Sequence, residues 1–419
     1  MKEFLRKILR KITFLLSLPL FLASFLYAQS GRNSCLSCHL ELEGSLAAPA
    51  QSFSRDIHAQ FGLNCSSCHG GNPLKEEIEE AKDRSFKGRF TRQAIPQLCA
   101  FCHADANYMR NYNPSIRVDQ FELYLTSRHG QAYKKGDLKA AICTDCHGVH
   151  EIQRANMPQS SVFPWNLAAT CSRCHSDLEL MKSYGLPANQ EEDYRVSVHA
   201  QALYEKKDLS APTCNDCHGN HGALPPGVSS IANVCRQCHP SQAELFTLSP
   251  HKKAYDEAGI SECEACHGNH RIISPSAEML AGGRQDLCLQ CHASDSAPYR
   301  QAFKLREKLN FLNSQIESLS SRLNQVAKKG VETSEARYEL QQARSFFLEA
   351  HNLIHGLSFP EIEEKIKAVA DKLSLVDSLV LAGEKEIGYR KTGLVIATTF
   401  LFLLALALLL KVRERRRRA

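Results

Sequence analysis

The chain has 419 residues, of which 18 are cysteine, 18 are histidine and one is tryptophan. Its formal net charge is +6, but residues 1–28 carry +4 and residues 390–419 carry +7, which leaves −5 for residues 29–389. We therefore expect no nucleic-acid partner, because basic clusters beside apolar segments are typical of membrane topology signals.

The first 28 residues predict a secretory signal peptide. A basic n-region precedes an apolar stretch from Ile12 to Tyr27, and Ala28 supplies a small residue for cleavage. An uncleaved N-terminal anchor is the alternative, because Leu26 is not small. Both interpretations predict an exported chain.

All the cysteines belong to nine Cys-x-x-Cys pairs, and a histidine directly follows each pair. Cys-x-x-Cys-His is the attachment signature of c-type haem, since two thiols on one turn reach both vinyl groups of a porphyrin and the histidine lies beneath the iron. Zinc ribbons and a disulfide framework are the alternatives, but neither requires a histidine after every pair. We therefore predict nine covalent haems. The predicted attachment residues are Cys35, Cys38, Cys65, Cys68, Cys99, Cys102, Cys143, Cys146, Cys171, Cys174, Cys214, Cys217, Cys235, Cys238, Cys263, Cys266, Cys288 and Cys291, and the predicted proximal ligands are His39, His69, His103, His147, His175, His218, His239, His267 and His292.

A two-haem module repeats along the chain. Each copy has a leading histidine, a Cys-x-x-Cys-His-Gly-x-His motif, a loop and a second Cys-x-x-Cys-His motif. The earliest copy is degenerate, with Asn72 in place of the extra histidine, and the motif at Cys35 to His39 stands alone before it. We predict that the recurring histidines are distal ligands of low-spin, mostly bis-histidine haems. They are His58, His129, His150, His199, His221, His251 and His270.

Seven distal candidates leave two haems to be completed. The remaining histidines, His351 and His355, lie one turn apart on one face of a predicted helix. They are either further distal ligands or ordinary helix-surface residues. If they do not ligate, the haem at Cys35 to His39 or another early haem would be five-coordinate or use Met, Lys or water.

Beyond the last motif, heptad spacing predicts three helices. The first ends at Gly330, the second runs from about Ser334 to His355, and the third follows Pro360 and leads into an apolar segment. We interpret them as a bundle that positions the haem domain above a bilayer, with oligomerisation through this stalk as the alternative. The first predicted seam consists of Leu305, Leu309, Leu312, Ile316, Leu319, Leu323 and Val326.

The uncharged run from Gly393 to Leu410 is long enough to cross a membrane. The Lys- and Arg-rich residues after it predict a cytoplasmic tail, with the haem domain on the periplasmic side of the inner (cytoplasmic) membrane. A core helix is the alternative. The predicted domains are a signal peptide or N-terminal anchor (1–28), a nine-haem cytochrome c domain (29–298), a helical, coiled-coil stalk (299–389), a transmembrane helix (390–412) and a basic cytoplasmic tail (413–419).

The expected fold class is mainly α-helical with many loops. Small modules dense in cysteine and histidine bury little aliphatic side chain, so we expect porphyrins to form most of their core. We expect short helices carrying the motifs, followed by the helical bundle and one C-terminal transmembrane helix.

Residues 31–295 resemble the multihaem cytochromes c with doubled Cys-x-x-Cys-His units, which are related to the class III cytochromes c. The resemblance implies bis-histidine haems stacked into a wire in the periplasm of anaerobically respiring bacteria. The helices after the haem motifs are also similar to the C-terminal helices of nitrite- and hydroxylamine-active multihaem enzymes. However, the chain has no Cys-x-x-Cys-Lys site, and Asn72 breaks the repeat.

The leading hypothesis is electron transfer between membrane quinol or dehydrogenase donors and periplasmic or outer-membrane acceptors in anaerobic respiration. Redox proteins are then the expected partners. One alternative is an oxidoreductase acting on a small nitrogen or sulfur oxyanion at an open haem iron. Another is a membrane subunit that oxidises quinol for a partner reductase. We expect an electron carrier rather than an enzyme, and no catalytic residue is predicted.

Overall fold

The computed structural model describes residues 33–223 and 232–418. The predicted signal peptide lies outside these residues. All regular secondary structure in the described residues is helical, which confirms the mainly α fold with many loops. The α-helices in chain order are α1 (Ser34–Leu40), α2 (Ala48–Phe53), α3 (Ile57–Gln60), α4 (Cys65–His69), α5 (Ile78–Ala81), α6 (Ile95–His103), α7 (Ala106–Arg110), α8 (Gln120–Thr126), α9 (Arg128–Lys134), α10 (Cys143–His147), α11 (Pro164–His175), α12 (Leu178–Ser183), α13 (Gln190–Arg195), α14 (Val198–Tyr204), α15 (Cys214–His218), α16 (Ala232–Cys235), α17 (Pro240–Leu248), α18 (Pro250–Ala258), α19 (Glu264–His267), α20 (Ala297–Lys328), α21 (Ser334–Leu353) and α22 (Phe359–Arg418). Short 3-10 helices cover Gly44–Leu46, Ala277–Met279, Leu287–Gln290 and Ile354–Gly356.

The described residues form two compact units. The first unit contains residues 33–223 together with His270–Ile272. The second unit contains residues 232–269 and 273–418.

The first unit is built from short helices that carry the first six haem-attachment motifs. Its buried aliphatic core is small, and Ala168, Tyr194 and Ala200 form one cluster within it. Such a core is too small to hold these helices together alone, as expected where a large prosthetic group supplies apolar surface.

Local hydrogen bonds explain why five-residue motif helices form at all. In α10 the Asp145 carboxylate accepts a hydrogen bond from the Ile142 N–H at 2.8 Å, and in α15 Asp216 accepts one from the Thr213 N–H at 2.7 Å. Both carboxylates occupy the second variable position of their motif. They therefore satisfy a backbone donor that a helix start leaves open.

The second unit contains the predicted three-helix bundle, made of α20, α21 and the first part of α22. Its core is continuous, because every residue of the predicted first seam is buried against the other two helices. The first helix ends before Gly330, whose φ of 75° lies in the left-handed region that favours glycine. The second ends at Leu353, two residues earlier than predicted, and a 3-10 turn follows it.

The helix α22 runs on from the bundle without a break to Arg418. Its most apolar 18-residue window has a mean hydropathy of 2.7, and none of that window is buried within the protein. This apolar surface is long enough to cross a bilayer once. The helix therefore fits membrane anchoring of the chain.

Candidate functional site

In seven of the nine motifs the second cysteine and the histidine lie in a short helix, whereas the motifs that begin at Cys235 and Cys288 run on beyond α16 and a 3-10 helix. Residues three apart on a helical turn lie on one side of it, so the two cysteines of a helical motif project together. The cysteines are free thiols in the structure, and their sulfur atoms stand for the thioether sulfurs of a haem-bearing chain. The first motif of every module continues with a glycine of positive φ: Gly70, Gly148, Gly219 and Gly268, at 70°, 78°, 78° and 75°. This conformation turns the chain sharply after the histidine, and a side chain there would be strained.

Seven pairs of histidine rings face each other at nearly the same distance. Their centroids lie 5.9–6.1 Å apart in every pair. The pairs are His58 with His103, His69 with His150, His129 with His175, His147 with His221, His218 with His270, His251 with His292, and His267 with His355.

This separation fits one metal ion between each pair of rings. Two metal–imidazole bonds of about 2 Å on opposite sides of an ion leave the ring centroids about 6 Å apart. Directly packed aromatic rings spread over about 4.5–7 Å, so the narrow range in all seven pairs points to one common group between the rings. The donor set therefore fits a bis-imidazole haem iron.

The first pairing rule links each leading histidine to the second motif of its own module. We number the modules by their leading histidines: module 1 (His58), module 2 (His129), module 3 (His199) and module 4 (His251). In modules 1, 2 and 4 the leading histidine faces the last motif histidine of the same module.

The second rule crosses between modules. The extra histidine of one module faces the first motif histidine of the module before it. His150 of module 2 thus faces His69 of module 1 at 6.1 Å, with the planes 21° apart. The modules are interlocked as a result, because each one completes a site of its predecessor.

A repeated backbone hydrogen bond holds this interlock in place. The N–H one residue before a leading histidine donates to the carbonyl two residues after the extra histidine of the next module. Module 4 has no following module, and the equivalent position is Pro250, which has no N–H to donate. The three bonds are Ile57 to Ile152 (2.8 Å), Arg128 to Ala223 (3.1 Å) and Val198 to Ile272 (2.9 Å).

The helical bundle supplies the ring that faces module 4. His355 lies in the 3-10 turn Ile354–Gly356, and its ring centroid is 6.1 Å from that of His267. The neighbouring His351 instead packs its ring edge-on against Phe347, with centroids 4.4 Å apart. The structure therefore separates the two stalk histidines that sequence spacing could not distinguish.

Several of these rings are oriented through Nδ1, which leaves Nε2 for a metal. The Nδ1 atoms of His39, His69 and His355 lie 2.8–2.9 Å from backbone carbonyl oxygens. Metal-ligating histidines usually donate their second ring N–H in this way. The contacts are with Leu46, Gly88 and Asn352 respectively.

Asp56 orients His58 and was not anticipated from the sequence. Its buried carboxylate lies 2.8 Å from Nδ1 of His58 and accepts the Ile152 N–H at 2.8 Å through its other oxygen. Burial works to raise the pKa of Asp56, but the hydrogen bonds from His58 and Ile152 outweigh it and hold the pKa below its usual range. The only sequence signal was its place as N-cap of α3.

Burial favours the neutral, metal-binding form of the paired imidazoles. It lowers the pKa of His147 to about 4, with the facing His221 as the next cause. Burial likewise lowers the pKa of His267, and the facing His355 adds to the effect. A neutral imidazole is the form that ligates iron, so the environment suits the proposed role.

The cysteines of consecutive motifs lie beside one another. Thiol–thiol hydrogen bonds join Cys99 to Cys143, Cys171 to Cys214, and Cys235 to Cys263. The other pairs are near enough to interact electrostatically. In the first unit the neighbours are Cys35 and Cys65, Cys68 and Cys102, Cys99 and Cys143, Cys146 and Cys174, and Cys171 and Cys214; in the second they are Cys235 and Cys263, and Cys266 and Cys291. Porphyrins attached there would follow one another in chain order within each unit.

Comparison with known proteins agrees with this site. A family model described as cytochrome c3 matches residues 57–176, and a model of the doubled CXXCH motif matches residues 257–297. The protein named "Multiheme cytochrome MtrA" from Shewanella baltica (strain OS185) is 27% identical over 284 residues, which cover 64% of this chain and 68% of that protein. No solved structure matches the chain. The repeated attachment motifs, the facing imidazoles and these matches together support a multihaem c-type cytochrome with covalently bound haem c and an electron-transfer role.

Proposed function

We propose that the chain conducts electrons along nine covalently bound haems, one at each Cys-x-x-Cys-His motif. The observation that carries this proposal is the recurrence of facing imidazoles 5.9–6.1 Å apart at seven of the nine motifs. We assign His58, His129, His150, His221, His251, His270 and His355 as distal ligands, while His199 stays a predicted distal ligand by its position in the repeat.

Bis-histidine ligation suits electron transfer better than catalysis. Imidazoles on both sides keep the iron low-spin and closed to substrate, and the covalent group supplies the redox chemistry. The protein's own residues hold several of the rings in place, for example through the Asp56 carboxylate and the Leu46 and Gly88 carbonyls. They thereby keep the ligand geometry constant between oxidation states.

The neighbouring cysteines support a continuous path. Thioethers of consecutive motifs would lie together, alternating between the first and the second cysteine of each motif. Each porphyrin would then have one neighbour on either side. We propose that electrons move in chain order within each unit.

We further propose that the chain acts on the periplasmic side of the inner membrane during anaerobic respiration. Residues 1–28 would direct export, and the apolar part of α22 would span the membrane with the basic residues after it in the cytoplasm. Donors would be quinol or dehydrogenases in that membrane. Acceptors would be soluble or outer-membrane redox proteins.

Protein-film voltammetry of the full-length holoprotein in detergent tests this function. We expect reversible waves without added substrate, and their integrated charge should correspond to one electron for each attached haem. This result requires electrons to pass between haems that cannot all touch the electrode. A charge that corresponds to only one or two haems would contradict conduction through the chain.

A further inference from the structure

The second pairing rule leaves one haem without a partner ring. Under that rule the extra histidine of a module serves the first motif of the module before it. Module 1 follows the isolated motif at Cys35 to His39, and it has Asn72 where modules 2, 3 and 4 have His150, His221 and His270. The position that would complete the His39 site is therefore an asparagine.

The side chain of Asn72 is occupied by its own turn. Its Oδ1 accepts the Leu74 N–H at 3.1 Å, and its backbone N–H donates to the Ala81 carbonyl at 2.8 Å. An amide held in such a turn is a poor substitute for imidazole, which is the ligand that closes haem iron.

The motif at His39 is nevertheless built like the others. Ser34, at the start of α1, donates its N–H to the Pro73 carbonyl at 2.9 Å, which holds the motif beside the residue that follows Asn72. Nδ1 of His39 lies 2.8 Å from the Leu46 carbonyl oxygen, so Nε2 is presented to a metal. The proximal side is complete.

The other histidines are already engaged. Within the described part of the first unit, no histidine ring pairs with that of His39. Six other histidine pairs flank the motifs of modules 1 to 4, and the stalk provides one ring of a seventh pair. His351 packs on Phe347, and His199 and His239 each have interactions of their own.

We propose that the haem attached at Cys35 and Cys38 keeps an exchangeable sixth position opposite His39. Its ligand is water or another small molecule that binds haem iron, with carbon monoxide or nitric oxide as ferrous ligands and cyanide or nitrite as ferric ones. This site gives the chain a small-molecule-binding centre at the N-terminal end of its haem series. The inference rests on the proposed function, because it presupposes haem at this motif.

Carbon monoxide binding to the dithionite-reduced full-length holoprotein tests the proposal, with electron paramagnetic resonance of the oxidised protein as a second readout. We expect one carbon monoxide bound per chain and one high-spin ferric signal that disappears on adding cyanide. The variant Asn72→His should lose both signals, because it restores the missing imidazole. Asn72→Gln is the matched control and should keep both.

The outcomes separate this inference from the proposed function. Intact mass reports haem attachment at the first motif independently of ligation. If nine haems are attached but no carbon monoxide binds, the open site is wrong and the electron-transfer proposal is untouched. If carbon monoxide binds equally well to Asn72→His and to the separate double variant Cys35→Ala/Cys38→Ala, the exchangeable iron lies elsewhere and the assignment is overturned. If the first motif carries no haem, both the open site and the nine-haem proposal are wrong.

Discussion

The imidazole of His355 faces that of His267, with ring centroids 6.1 Å apart and planes 24° apart. His355 belongs to the turn between α21 and α22, so the helical bundle supplies a ring to the last module. It fills the place that the extra histidine of a further module would take. Under the proposed ligation, the stalk would therefore belong to a haem site as well as act as a spacer.

Replacing His355 with alanine should open one haem without removing it. The attachment cysteines are unchanged, so the haem content should stay the same, while the iron bound by His267 loses its second imidazole. Electron paramagnetic resonance should show one new high-spin haem per chain. His351→Ala is the matched control, because that ring packs on Phe347 and should leave the spectrum unchanged. Equal spectra for the two variants would contradict the assignment of His355.

Asp56→Asn should change one haem potential and weaken the contact between modules 1 and 2. The amide no longer carries the charge beside Nδ1 of His58, so the ferric haem at His103 is less stabilised and its potential should rise. The amide has one acceptor oxygen and cannot accept from both Nδ1–H of His58 and the Ile152 N–H, so one of these hydrogen bonds is lost, which should also cost about 1–3 kcal/mol of stability.

Spectroelectrochemical titration and thermal melting measure these two effects. Asp177→Asn is the control, since Asp177 caps α12 and accepts only the Leu180 N–H. A potential that changes equally in both variants would show that Asp56 has no special role at His58.

Val198→Pro should isolate the repeated backbone bond between modules. Proline is tolerated at the first position of a helix, and Ser197 before it is already extended with ψ of 157°, so the loss should come from the missing N–H to the Ile272 carbonyl. We expect a loss of about 1 kcal/mol and a lower apparent melting temperature. Val198→Ala is the matched control, because it also truncates the valine side chain but keeps the backbone N–H. If the two variants melt together, the bond contributes nothing.

Leu309→Ala should destabilise the bundle strongly. Leu309 is fully buried in the seam of α20, so the truncation leaves a cavity and should cost about 2–5 kcal/mol. Phe311→Ala, on the same helix but 61% exposed, should cost far less. Circular dichroism during thermal unfolding compares them. Similar losses in both variants would argue against the observed seam.

A chain that ends at Tyr389 should no longer associate with membranes. It keeps the bundle core, whose last buried apolar side chain is Val380, but lacks the apolar window of α22. After fractionation of an export-competent host, the shortened chain should be recovered with its haems in the soluble periplasmic fraction. The full chain should be released from the membrane fraction only by detergent. Recovery of both chains in the membrane fraction would show that α22 is not the anchor.

The sequence was sufficient for features that depend on short spacing. Leu305 to Val326 repeat at intervals that match helix geometry, so the bundle seam could be predicted and is buried as expected. The attachment motifs are equally local, because their chemistry requires adjacent thiols and a histidine. Short helices were expected in the haem region, because modules dense in cysteine and histidine bury little aliphatic side chain.

Pairing across modules could not be predicted in the same way. His150 meets His69 only because the chain turns back over a whole module, and no short spacing records that path. The two stalk histidines were also equivalent by sequence until α21 ended at Leu353 and turned His355 away from the helix register of His351. Asp56 was missed because a carboxylate N-cap is common on any helix.

Intact mass spectrometry of the mature chain, produced in a host with cytochrome c maturation, tests the central claim most directly. We expect a chain mass increased by nine haem groups, each attached through two thioethers. Fewer adducts, or zinc bound at reduced cysteine pairs, would contradict the assignment of these motifs to haem.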